Sequence, residues 1–195
     1  MTRGRSRPEK HKHLPGEAGV WIFILGDMCV FAMLFAVYLL YRGQDPSLFA
    51  EGQATLNRNS GALNTVLLLV SSLFVVIGLQ ALKRNLLDLS KRMVLLAALC
   101  GVGFVVVKAF EYSEQIGAGH TPGANSFYMY YFILTGLHLG HLLVGLAVLT
   151  VLYRMLASDR EWTSQRFSMF EGGTCFWHMV DLLWIVLFPL IFLVR

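Results

Sequence analysis

Charge is scarce in this sequence: of 195 residues only 14% are Asp, Glu, Lys or Arg, while 56% are hydrophobic. A soluble domain carries nearer a quarter charged residues, so this balance, with a mean hydropathy of +0.59, excludes an ordinary soluble globule. Cysteine is sparse too. Cys29, Cys100 and Cys175 each lie inside an apolar run with no CxxC or other metal-type spacing, which leaves no disulfide framework or zinc motif. They read as small, buried, apolar side chains. Proline interrupts the apolar runs only at Pro189, and no inverted repeat is visible, so the broken helix pairs of a small transporter are missing.

What is present is a series of apolar blocks close to the 20 residues that a helix needs to cross the hydrocarbon core. Bounded by charges and turn residues, they predict helices near 18–42, 62–82, 92–113, 127–154 and 170–194. The expected fold is an all-α bundle of five transmembrane helices, a single domain over 17–195 preceded by a basic tail over 1–16. Gly43-Gln44-Asp45-Pro46 starts one predicted loop, Lys83 to Arg92 makes a short charged one, and Gly117 to Gly123 turns a third. The run from Val20 to Tyr41 is of span length and ends in Tyr-Arg, so it is expected to stay as a helix rather than be cleaved as a signal.

The formal net charge of +4 has to be located before it is interpreted. Arg3, Arg5, Arg7, Lys10 and Lys12 sit in the tail, Lys83, Arg84, Lys91 and Arg92 between the second and third spans, and Arg154, Arg160 and Arg166 between the fourth and fifth. The opposite ends hold Arg42, Arg58 and Arg195. Basic residues flanking spans stay in the cytoplasm, which places the N-terminus inside and the C-terminus outside. The tail has no interleaved aromatics, so nucleic acid is not an expected partner.

Ionisable side chains at membrane depth are costly unless paired or hydrated, and this chain has a set of them. They are Asp27, Lys108 and Glu111, His138 and His141, and Glu171, His178 and Asp181. Helical rise puts Asp27 and His178 at one depth and His141 and Asp181 at another, which predicts two acid–histidine pairs. Such pairs serve either to hold helices together or to carry a proton. His138 and His141 are spaced i, i+3, as metal ligands on one face would be, with His178 as a third candidate. The absence of any accompanying Cys or carboxylate cluster favours internal hydrogen bonding, and no metal or catalytic residue is assigned. Gly136 and Gly140 read as a small-residue packing face. Lys108 and Glu111, also i, i+3, read as an ion pair, and Tyr112, Tyr128, Tyr130 and Tyr131 as an interfacial aromatic belt.

Five segments in order resemble subunit III of the cytochrome c oxidase family. They are Trp21 to Asp27 followed by Phe31; Leu63-Asn64-Thr65; Lys108-Ala109-Phe110-Glu111-Tyr112; Thr135-Gly136-Leu137-His138-Leu139-Gly140-His141 with Gly145; and Phe170-Glu171, then Trp177-His178-Met179-Val180-Asp181 and Trp184. The resemblance implies an accessory, non-catalytic subunit in a bacterial plasma membrane. In that reading haem and copper reside in a catalytic subunit I, phospholipid is bound, and proton uptake is supported. Asp27 stands where the family usually has Glu, which shortens its reach. The resemblance starts at the first helix shared by all members, so a lipid cleft walled by the two further helices of the longest members is not carried over. Pro15-Gly16-Glu17 and Gly61 to Thr65 are similar to the subunit-III-like proteins associated with bacterial nitric oxide reductase, an alternative parent complex. A haem- or metal-binding electron carrier is the other alternative class.

Overall fold

The computed structural model describes residues 18–158 and 160–193; the basic tail and Arg195 lie outside the described residues. Five helices long and apolar enough to cross a membrane run through it. They are α1 (Ala18–Gln44), α3 (Arg58–Lys83), α4 (Leu87–Gly117), α5 (Ser126–Ala157) and α6 (Ser164–Phe188), the last continued by a π-helical turn over Pro189–Leu193. A short extra helix, α2 (Pro46–Ala54), occupies part of the segment predicted as a loop. Its signals are local. Asp45 accepts a hydrogen bond from the Leu48 amide as N-cap, and Pro46 sits at the first turn, where its missing N–H is no loss.

Most spans extend beyond the predicted limits because apolarity marks only the part within lipid, whereas polar caps set the helix ends. Asn57, Asn125 and Thr163 cap α3, α5 and α6 by accepting from amides in the first turn. Two helices stop in the same way. After α3, Asn85 adopts φ 58°, the Leu86 amide donates to the Ala81 carbonyl at 2.9 Å and the Asn85 amide to Leu82 at 3.0 Å. After α4, Gly119 at φ 83° lets His120 donate to Gln115 and its own amide to Ile116. Both are left-handed caps that satisfy the last carbonyls, and Asn and Gly are the residues that tolerate them.

The bundle is organised around α6. In its most apolar stretch 56% of residues are buried inside the chain, against 11% for α1. Lipid tails give helices no hydrophobic reason to associate, so close packing and buried hydrogen bonds must hold them. The tight glycines are Gly52, against Phe127, Gly61, against Phe188, Gly101 and Gly145, which both lie against the Trp177 ring, and Gly173, against Val148 and Leu152. Gly136 and Gly140 do not form the expected packing face: a Cβ on Gly140 would meet nothing within 4 Å. Ser90 donates to the Gly78 carbonyl and Ser71 to that of Ala97, joining α3 to α4. Trp177 Nε1 donates to Ser71 and Trp184 Nε1 to Thr65, joining α6 to α3.

Two other expectations are corrected. Cys29 is exposed, and Cys100 and Cys175 are only partly covered. Tyr131 is fully buried, Tyr128 and Tyr130 nearly so, and Tyr131 packs on Phe127 and Phe192. These tyrosines form the core at one end rather than a belt, because α2 folds over them: Phe49 meets Tyr38 and Phe127, and Thr55 bonds the Tyr128 hydroxyl at 2.9 Å.

Candidate functional site: polar contacts within the bundle

The ionisable side chains fall at successive levels. At the end carrying Lys83, Arg154 and Arg166, hereafter the basic end, Lys83 Nζ lies 2.9 Å from Glu171 Oε1. The lysine is half exposed and the carboxylate largely covered, so Glu171 belongs to the edge of the bundle rather than its interior.

One level further in, His178 Nδ1 is 2.7 Å from the Ser72 hydroxyl, and Asp181 neighbours both Ser72 and the His178 ring. Asp27, across on α1, does not meet His178. Its Oδ2 is instead 3.2 Å from Nε2 of His141, while His141 Nδ1 donates to the Leu137 carbonyl. Neither predicted pair, Asp27 with His178 or Asp181 with His141, is found: Asp27 meets His141, and His178 meets Ser72 with Asp181 alongside. Counting the rise per residue fixes a level on a helix but not the direction around its axis. The face of α6 holding His178 turns toward α3, and the face of α5 holding His141 turns toward α1.

His138, though only i, i+3 from His141, is fully buried and looks the other way. Its ring lies edge-on to Phe104 with centroids 5.7 Å apart and 5.2 Å from Trp184, and neither ring nitrogen has a hydrogen-bond partner among the described residues, so the internal hydrogen bonding expected of it is found for His141 and His178 but not here. The three histidines thus stand in three separate surroundings. Among the described residues no group of three or more His, Cys, Asp or Glu could hold a metal ion.

Nearest the other end is the most buried charge pair. Lys108 Nζ is 2.9 Å from Glu111 Oε1, with side chains 0% and 1% exposed. Tyr131 donates to the same oxygen at 2.5 Å. The rings of Tyr112, Tyr131, Trp184 and Phe192 surround the ammonium at 5.0 to 5.4 Å from their centroids. A cation over aromatic faces is stabilised by their quadrupoles, so one lysine is satisfied by a carboxylate and a cage together. Tyr112 bonds Thr135 at 2.7 Å, and Thr135 donates to the Tyr131 carbonyl, which fixes the two tyrosines that close the cage.

Sequence reasoning missed Ser72, Thr65, Trp184 and Tyr131 as partners. Ser71-Ser72 within an apolar run was the available signal, since a hydroxyl at that depth needs a partner. The arrangement holds charges in pairs and couples neighbouring helices, and its carboxylate–histidine contact is one that can share a proton.

A family profile described as cytochrome c oxidase subunit III matches residues 14–194. The chain belongs to that family. Cytochrome c oxidase subunit 3 of Synechocystis is 30% identical over 99% of this chain and 87% of its own length. The subunit of the same name in Corynebacterium diphtheriae is 31% identical over 91% and 87%. Subunit 3 of the cytochrome bo(3) ubiquinol oxidase of Buchnera aphidicola is 30% identical over 90% and 84%. With five spans and such relatives, this is a multi-pass protein of a bacterial inner membrane and an accessory subunit III of the haem-copper oxidase type. The names are those of oxidase subunits, and the nitric oxide reductase branch gains no support from them.

Proposed function

We infer that this subunit III packs against a catalytic subunit that carries the haem and copper, with the basic end of the bundle in the cytoplasm. The observation that carries this reading is the family match along nearly the whole chain. A further relative, from Aeropyrum pernix, is named haem-copper oxidase subunit I+III; it is 25% identical over 91% of this chain, which spans 22% of it. A polypeptide bearing both subunit names is consistent with the two parts lying side by side in one membrane.

Within this role the chain stabilises the complex and supports proton uptake on the cytoplasmic side. Asp27 and His141 are the residues assigned to the latter. They are a carboxylate and an imidazole in direct contact, neither sealed from its surroundings, whereas the Lys108 pair is closed by rings. Bound phospholipid is expected on the apolar outer faces.

The test is co-purification. A tagged chain drawn from mild detergent is expected to bring down a larger haem-bearing subunit, and the chain separated from it to have no Soret band. Haem or metal at one equivalent on the separated chain, lost on replacing His138 or His141, would overturn the reading in favour of an electron carrier.

A further inference from the structure

Two contacts between an acid and a basic side chain lie well inside the spans, and they are treated differently. Lys108 and Glu111 are sealed, whereas the Asp27 and His141 side chains remain 19% and 18% exposed. Asp27 is on the order of 13 Å along the helix from Ala18 and about 25 Å from Gln44, so the opening lies at the level of acyl chains rather than head groups. Hydrocarbon offers a carboxylate no hydrogen bond, and an ionisable group turned toward it is unstable unless protein or a water-filled cavity meets it.

The surface around the opening is also free of this chain's own packing. Gly26 and Gly140, next in sequence to the pair, are exposed, and a Cβ on either would meet nothing within 4 Å. Toward the basic end the same helical stripes, Val20 and Phe23 on α1 and Val144 and Val148 on α5, line an apolar groove of about 590 Å³ floored by α6. Exposed Val30 continues the α1 stripe in the other direction. The face is therefore apolar, accessible to a neighbouring backbone at its glycines, and polar at one point.

We propose that this α1–α5 face is the contact with the catalytic subunit, and that the partner lays a transmembrane helix across it with a hydroxyl, amide or indole donor hydrogen-bonded to the Asp27 carboxylate. The assignment rests on the proposed function and names its surface. A lipid tail fills apolar space equally well but offers nothing to the exposed side of the carboxylate, which His141 meets from within, and this is why a helix with a polar side chain is the better occupant.

The experiment uses the complex in native membranes. A photoreactive residue replaces Val30 or Val144 on the proposed face, or Leu99 on α4, which is 57% exposed elsewhere. Val30 and Val144 are expected to give adducts with the haem-bearing subunit, and Leu99 adducts with phospholipid. In parallel, Gly140→Leu is expected to lower co-purified haem about tenfold or more by forcing a tight interface apart, while Leu99→Trp leaves it unchanged. Co-purification of the unmodified chain with lipid-only adducts at Val30 and Val144, or unchanged haem in Gly140→Leu, overturns the assignment alone. Absence of a haem-bearing subunit from the unmodified preparation overturns the underlying function, and the assignment with it.

Discussion

Replacing Lys108 by Met leaves the Glu111 carboxylate buried with one donor, Tyr131, in place of two. Removing one member of a buried pair typically destabilises by roughly 3–5 kcal/mol, because the surviving charge has lost its counterion without regaining water. That is a large share of the roughly 5–15 kcal/mol that separates a folded domain from its unfolded chain. Glu111→Gln is expected to be nearly as harmful, since it strands the ammonium. The double variant removes both charges but keeps an amide oxygen to accept from Tyr131, so it should return to within about 1–2 kcal/mol of the parent. The readout is denaturant titration of the purified chain in detergent, with all four members of the cycle measured under one condition. Additive losses, each below about 1 kcal/mol, would refute the reasoning by showing that the two side chains are not coupled in the folded state.

Asp27→Asn should lower stability by roughly 0.6–1.7 kcal/mol, the usual range for an interhelical contact in a membrane; turnover per assembled complex, measured beside complex yield, tells a proton-linked role from a structural one. Gly145→Leu would drive a side chain into the Trp177 ring and is expected to destabilise by about 1–3 kcal/mol or more, read as lost yield of folded chain. Trp177→Phe removes the hydrogen bond to Ser71 and should cost about 1 kcal/mol by the same titration. Reporter fusions are expected to place the 158–163 segment in the cytoplasm, and an external signal there would invert the orientation drawn from the basic residues.

The spans were legible because the signal for a transmembrane helix is an average over about 20 residues, which single substitutions barely disturb. The partners of the polar side chains were not, because they depend on each helix's rotation. His138 and His141 differ by a fraction of a turn, enough to send one into the aromatic core with Phe104 and Trp184 and the other onto α1. Depth was the coordinate available, and it placed Asp27 beside the wrong histidine. The tyrosines near Asn125 failed for another reason. An aromatic cluster at a span end resembles an interfacial belt until a short helix covers it, and the signals of α2, an Asp-Pro start and a nine-residue length, are too brief for a hydropathy average to register.

The polar contacts also differ in what removing them would leave behind. Ser71, Ser90 and Thr65 are neutral groups whose bonds fix how α3 sits on α4 and α6, and a failure there leaves an unmet indole N–H or carbonyl rather than a charge. Lys108 and Glu111 are paired and sealed, with side chains 0% and 1% exposed. Asp27 and His141 are both ionisable and open. A purely structural pair is better buried, since exposure to lipid raises its energy without improving helix registration. Selection for packing alone would therefore remove the opening by deepening the pair or by replacing it with apolar residues of similar volume. Its position on the least buried span of the bundle fits a contact completed by a neighbour, as the proposed α1–α5 interface requires.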